Sequence, residues 1–287
     1  MKVNTVSKSD MAGMRALHIN KGLGWDRASW SLLKTIFDGA RRFEGDIVVG
    51  DRLSIEEDML IEFVPVFKEN FTPANSDLVR SLTTFAEKGM FRPGEVAPPK
   101  EKTVESSLYC IIKGKDTKVD AWPNYRYITV ALKMHKTNHD HAVEQLVTIP
   151  VPQNSHIRVP ITRLLKRVAA KQALRMDIVP GSMTVPELLA CCDRPLFEWD
   201  YEDCDSIPRP VTYTELVEIT KHTLTILGYD QTKYNGHSFR IGGATYLAAL
   251  GVPRWKIMLL GRWKSLASMV RYTRISSESI YKLHQEL

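Results

Sequence analysis

Side chains able to handle a phosphate ester crowd into the carboxyl-terminal stretch: the imidazole of His237, the guanidinium of Arg240 and the phenol of Tyr272, with Trp263 between the last two. His237 and Arg240 stand three apart where the pattern starts a helix, so both can point one way. Gly242, Gly243 and Ala244 follow, leaving that helix face small enough for another backbone or a ligand to come close. Gly251 is placed to end the helix, Pro253 to open the next, and Gly261 to end that one. Arg254, Lys256, Arg262, Lys264 and Arg271 are interleaved through the segment as candidate contacts to DNA phosphates. A phosphodiester site uses such groups: forked guanidinium donors for the non-bridging oxygens, and a hydroxyl nucleophile beside a base. Each residue alone has a plainer reading. HSFR fits a helix cap with a surface ion pair, Trp263 fits a core residue, and Ala244–Leu260 scans as a helix–turn–helix that binds DNA without cutting it.

A scaffold that would position these residues can be read upstream. Helical spacing predicts one helix over about 55–67, capped at Ser54. It predicts a second from Ser76 to about Met90, with Leu78, Val79, Leu82 and Phe85 on its inner side. Pro93 and Gly94 then enforce a turn. β-branched and aromatic runs at about 125–135 and 142–151 predict two strands joined by the polar link Lys136–His141, and Leu108–Lys113 offers a third. The chain turns helical again from Val159, reads as a loop over about 179–209, and resumes as a helix from Thr212 or Thr214 through Leu227. The expected fold class is α+β, mainly α, with helices around a small antiparallel sheet. Residues 50–287 form the expected main domain. Residues 1–49 are expected to be a short helical segment, too small to bury a core of its own.

With 287 residues, 44% of them hydrophobic, the chain is long enough for a well-buried core. Its net charge of +6 favours a polyanionic partner. The cysteines Cys110, Cys191, Cys192 and Cys204 make no CxxC pair and complete no zinc pattern with the histidines, so reduced thiols and no metal are expected. No stretch approaches the ~20 apolar residues of a membrane helix. The first ten residues are polar, with no apolar signal core. The expectation is an intracellular protein without a membrane partner.

Taken together, His237-Ser-Phe-Arg240, Gly261-Arg-Trp263 and Tyr272 resemble the signature of the tyrosine recombinases, which include phage integrases and the recombinases of DIRS-type retrotransposons and Cryptons. The stretch HSFRIGGAT, GVP, LGRW, RYTR is most similar to the eukaryotic transposon branch. The resemblance covers about 50–287 and implies three further positions upstream. These are an arginine at a helix end, a carboxylate three residues on and a lysine on a hairpin turn, matched here by Arg92, Glu95 and Lys136. It also implies roles. Arg92 and Arg240 clamp the scissile phosphate, while Tyr272 attacks phosphorus to give a 3′-phosphotyrosine and a free 5′-hydroxyl. A phenol ordinarily ionises near pH 10 and needs help, for which His237 is the nearest proton acceptor. Lys136 protonates the leaving oxygen, with Lys133 as the alternative register. Glu95 orients Arg92 or His237. Trp263, whose indole can only donate, bonds a phosphate oxygen and packs the site. Neither metal nor nucleotide cofactor is implied, because the covalent link conserves the bond energy.

The implied partner is double-stranded DNA, handled by a homotetramer on paired sites, in the nucleus of a eukaryote or the cytoplasm of a prokaryote. ESIYKLHQEL, 278–287, is amphipathic enough to pass to a neighbour or to pack on its own domain. Relatives clamp DNA with a helical amino-terminal domain. Only about fifty residues precede the catalytic domain here, so weak, salt-sensitive binding is expected. The competing readings are a silent DNA-binding descendant, a relaxing topoisomerase of the same chemistry, and an unrelated helix–turn–helix protein.

Overall fold

The computed structural model describes Lys21 and residues 52–98, 111–132, 145–200 and 209–273. Residues Leu53–Leu287 form one compact unit. The short helices expected within 9–45, the carboxyl-terminal segment 278–287 and Lys136 all lie outside the described residues. Among the described residues no helix is long and apolar enough to cross a membrane.

Helix α1, Glu57–Asn70, buries Leu60, Phe63 and Phe67, one stripe at helical spacing. It starts three residues after Ser54, whose hydroxyl bonds Glu56 and does not cap the helix. Helix α2, Pro73–Lys88, begins with Pro73 in its first turn and a Thr72 cap. Leu78, Val79, Leu82 and Phe85 on its inner side are wholly buried. The turn at Pro93 is a single helical turn, α3, Pro93–Val96.

Strands β1, Thr117–Lys118, β2, Tyr127–Leu132, and β3, Gln145–Pro150, pair antiparallel in that order. Ile128 faces Ile149 and Val130 faces Val147, all four buried, whereas Leu146 and Thr148 point out. This is the alternation of a sheet with one face on the core. The third strand of this sheet is Thr117–Lys118; of the stretch expected to supply it, 108–110 lie outside the described residues and 111–113 contribute a bridge from Lys113 to Pro195.

Helix α4, Arg158–Arg175, follows. The stretch 179–209, expected to be loop, contains helix α5, Val185–Ala190, opened by a reciprocal Thr184–Glu187 capping box. Helix α6, Tyr213–Ile226, is capped by Thr212. The remaining helices are α7, Ser238–Ala249, α8, Arg254–Leu260, and α9, Leu266–Val270. One large apolar core runs from Ile55 to Phe239 through the sheet and helices α1, α2, α4 and α6. A small second cluster, Met90, Ala244, Ile257, Trp263 and Met269, joins the last three helices to the end of α2.

Candidate active site

The site forms where α2 and α8 end, and the two ends are built alike. Each places glycine at the cap (Gly89, Gly261), a non-glycine residue in the left-handed conformation (Met90, φ 45°; Arg262, φ 60°) and then an aromatic residue (Phe91, Trp263). The backbone closes as a Schellman motif both times. Phe91 N–H donates to Ala86 O at 3.2 Å, and Trp263 N–H donates to Met258 O at 2.9 Å. The glycines make room for the aromatic rings. A Cβ on Gly89 would stand 2.2 Å from the Phe91 ring, and one on Gly261 only 1.7 Å from that of Trp263. The Gly-x-Trp spacing is thus a steric requirement of the turn. A non-glycine residue at the left-handed position costs of order 1–3 kcal/mol, so surrounding contacts must hold each one in place.

Those contacts come from arginines. A helix end leaves carbonyls unpaired and carries partial negative charge, which cations satisfy. Arg240, in the first turn of α7, reaches between the two ends and donates to both Met90 O and Gly261 O. It is 1% exposed. Arg262 turns back from its own helix end and donates to Gly89 O and Met90 O, each at 3.1 Å, and to Glu95 Oε2 at 2.8 Å. Helix α7 comes this close because Gly242 and Gly243 lack side chains. A Cβ on either would stand 1.8 Å from Ile55 O or 2.3 Å from Glu87 O.

Glu95 ties the turn together. Its Oε2 also accepts the Arg92 backbone N–H at 2.8 Å, and its Oε1 accepts Arg92 Nη1 at 2.8 Å. Pro93, directly after Arg92, sits at the first helical position, where a missing N–H costs nothing. The same proline packs under Gly236, where a Cβ would lie 2.9 Å from Pro93 Cγ. The Arg92 turn is thereby set beside the loop leading to His237, which Asn235 Oδ1 steadies by accepting the His237 backbone N–H at 2.9 Å.

Tyr272, after α9, completes the group. Its ring lies 5.3 Å from that of Trp263 and stacks with His237 at 6.2 Å and 27° between planes. The Arg240 guanidinium stands 4.2 Å from the Trp263 ring centroid and 5.5 Å from that of Tyr272. Arg92, His237 and Tyr272 are partly exposed at the rim, while Glu95, Arg240, Arg262 and Trp263 form a buried floor.

Among the described residues, charge on this floor is unbalanced. Burial pushes the Arg240 pKa down to about 9, reinforced by Arg262 and Arg92, and the group is still cationic at neutral pH. Arg262 is likewise lowered by burial, with Glu95 opposing. Burial would raise Glu95, yet Arg262 and then the Arg92 N–H and guanidinium hold it below the usual carboxylate range.

Six of the seven residues proposed for catalysis therefore stand in one connected cluster, and Lys136 is outside the described residues. Arg254, Lys256, Lys264 and Arg271 are exposed, as a phosphate contact requires. Arg262 is not. Its side chain is only 3% exposed, so it is corrected from a DNA contact to an internal group of the site. Sequence reasoning missed this because a lone arginine between glycine and tryptophan in a basic segment carries no sign of which way it turns.

No family model and no curated protein matches this chain. Solved structures do. XerA recombinase superposes with a TM-score of 0.51 at 13% identity, covering 100% of this chain and 84% of that one. The Tn1549 transposon integrase bound to transposon right end DNA gives 0.46 at 10% identity, with 100% and 87% covered. The XerH site-specific recombinase in a post-cleavage complex gives 0.48 at 13% identity, covering 82% of this chain. The match spans about half, 53%, of the XerH chain. The mainly helical chain with its three-stranded antiparallel sheet has the fold of a tyrosine recombinase catalytic domain.

Proposed function

We propose that this chain cuts and rejoins double-stranded DNA by transesterification, with Tyr272 as the nucleophile. The observation that carries the reading is the excess of positive charge: among the described residues, Arg92, Arg240 and Arg262 gather around a single carboxylate, Glu95, beside a tyrosine. Buried positive charge in excess of the carboxylate facing it costs folding free energy. An anion that docks there recovers it, and a phosphodiester is an anion that the adjacent phenol can attack.

In the proposed reaction Arg92 and Arg240 hold the non-bridging oxygens as the pentacoordinate state gathers charge. Because Arg240 lies under the Trp263 and Tyr272 rings, the phosphate reaches it as Tyr272 swings off the guanidinium toward phosphorus. The phenol oxygen forms the new P–O bond while the bond to the 5′-oxygen breaks. The phenol proton passes to His237, and Lys136 supplies one to the leaving oxygen. Trp263 packs the site and donates to a phosphate oxygen. Attack by the 5′-hydroxyl of another strand reverses these steps and regenerates Tyr272, so the chemistry needs no cofactor.

The HSFRIGGAT and LGRW resemblance supports a recombinase of a mobile element, of the DIRS and Crypton kind, acting wherever the host keeps its DNA. The same resemblance supports a tetramer on paired sites. The experiment uses suicide duplexes taken from the DNA flanking the gene. The native chain should form a covalent protein–DNA adduct, and Tyr272→Phe should form none. An adduct that survives Tyr272→Phe, or no adduct from the native chain on any of these duplexes, overturns the proposal.

A further inference from the structure

The Arg262 side chain is almost wholly buried, yet it bonds to what holds both arginines of the proposed clamp. Its Nη2 donates to Glu95 Oε2 at 2.8 Å, and the same carboxylate fixes Arg92 through the backbone N–H and Nη1. Its Nη2 and the Arg240 Nη1 share one acceptor, Met90 O. Nη1 takes the neighbouring Gly89 O, and the guanidinium lies 5.1 Å from the Phe91 ring centroid. This reach requires the left-handed backbone at Arg262, a conformation that glycine would adopt at far less cost. A non-glycine residue persists in this conformation only where its surroundings over-determine it, and here the three hydrogen bonds of the guanidinium do so.

We infer that Arg262 is a positioning residue for both phosphate-holding arginines, setting Arg92 through Glu95 and Arg240 through the Met90 carbonyl. The inference rests on the transesterification reading for its consequence in rate, but not for its geometry. The charged groups acting on Glu95 are Arg92, Arg262 and Arg240. Arg262 is the largest of the influences that lower its pKa. Without Arg262 the carboxyl keeps its burial and loses that cation, so it should take up a proton at a higher pH and release its hold on Arg92.

The test compares the native chain with Arg262→Lys, Arg262→Met and Glu95→Gln. On saturating suicide duplex, Arg262→Met should slow adduct formation about 10²-fold, as misplacement of reacting groups does. It should also add a loss of rate toward acid pH that the native chain lacks. DNA affinity and its salt dependence should stay as they are, whereas loss of a phosphate contact lowers the salt slope by about one. Arg262→Lys should recover part of the rate. In Glu95→Gln the two Arg262 variants should add less than they do alone, because they act through the same carboxylate. A carbon-13 titration of the Glu95 carboxyl without DNA gives a readout independent of the reaction. A midpoint moved upward in Arg262→Met supports the inference even if no adduct forms, in which case only the reaction falls. An unmoved midpoint, or an unchanged pH profile with a lower salt slope, overturns it.

Discussion

The two helix ends that make the site share one backbone plan and opposite surroundings. Gly89-Met90-Phe91 closes α2, and its aromatic ring is 1% exposed in the large core. Gly261-Arg262-Trp263 closes α8, and its ring covers Arg240 in the small cluster beside Tyr272. Two residues before each cap the contrast inverts. Glu87 in α2 is completely buried with neither carboxylate oxygen hydrogen-bonded, whereas Leu259 in α8 is 68% exposed. The first end is locked into the fold by the apolar packing of Phe91 and by guanidinium donors from Arg240 and Arg262 on Gly89 O and Met90 O. The second receives one guanidinium donor, from Arg240 on Gly261 O, and ring faces, and leaves Leu259, Leu260 and Trp255 on the surface. The first end is the better anchored, and the less anchored one carries Trp263 beside the tyrosine of the proposed reaction.

The sharpest break in that contrast comes from the aromatic residues. Phe91→Ala should cost about 3–5 kcal/mol of stability in denaturant unfolding, as a buried phenylalanine does. Trp263→Ala should cost less stability and more adduct. Equal destabilisation by the two would show that both ends anchor the fold.

Arg240→Lys tests the link between the ends. One ammonium cannot reproduce the fork spanning Met90 O and Gly261 O, so adduct formation should fall by about 10²–10³. A single-turnover assay with quenched time points measures it. A fall below tenfold would remove Arg240 from the clamp.

Glu87 sharpens the contrast through pH. Its burial raises the carboxyl pKa to about 7, against 4.5 ordinarily, while Lys88 Nζ, 3.4 Å away, makes its hydrogen bond to Glu57 instead. The folded chain therefore binds the extra proton between pH 4.5 and about 7. Stability falls as pH rises through that window and levels off above it. Glu87→Gln should leave stability nearly unchanged below the window. Above it the variant should gain about 3 kcal/mol, read as a pH series of urea midpoints. A gain that is the same at every pH would rule out the carboxyl as its source.

Gly89→Ala and Gly261→Ala should each cost about 1–3 kcal/mol by overpacking. Only the second should disturb the Trp263 fluorescence and the adduct rate to a matching degree. The smallest expected effect is Leu259→Ser, within about 0.5 kcal/mol as for other exposed positions. A larger loss would mean that this face is covered in the working assembly.

Most of the candidate site is local in sequence and was legible there. His237 and Arg240 share a helix start, Trp263 and Tyr272 lie within one short helix of each other, and Arg92 and Glu95, which only the resemblance picked out, share one turn. Strands β2 and β3 were legible because each lies in a longer run rich in β-branched residues. β1 has two residues and shows no such run. Helix α5 was missed, although Thr184 and Glu187 stand at capping-box spacing, because the surrounding proline, acids and cysteines read as loop.

By itself, then, the sequence determined which chemical groups stand in which short segments, since helix periodicity, caps and turn glycines act over a few residues. Only the tertiary structure decided where Arg262 points and what balances the charge. Those answers depend on the ends of α2 and α8, more than 160 residues apart in the chain, meeting at Met90 O. Burial of a cation and the acceptors that permit it are properties of the packed interface, and neither half of the chain contains them alone.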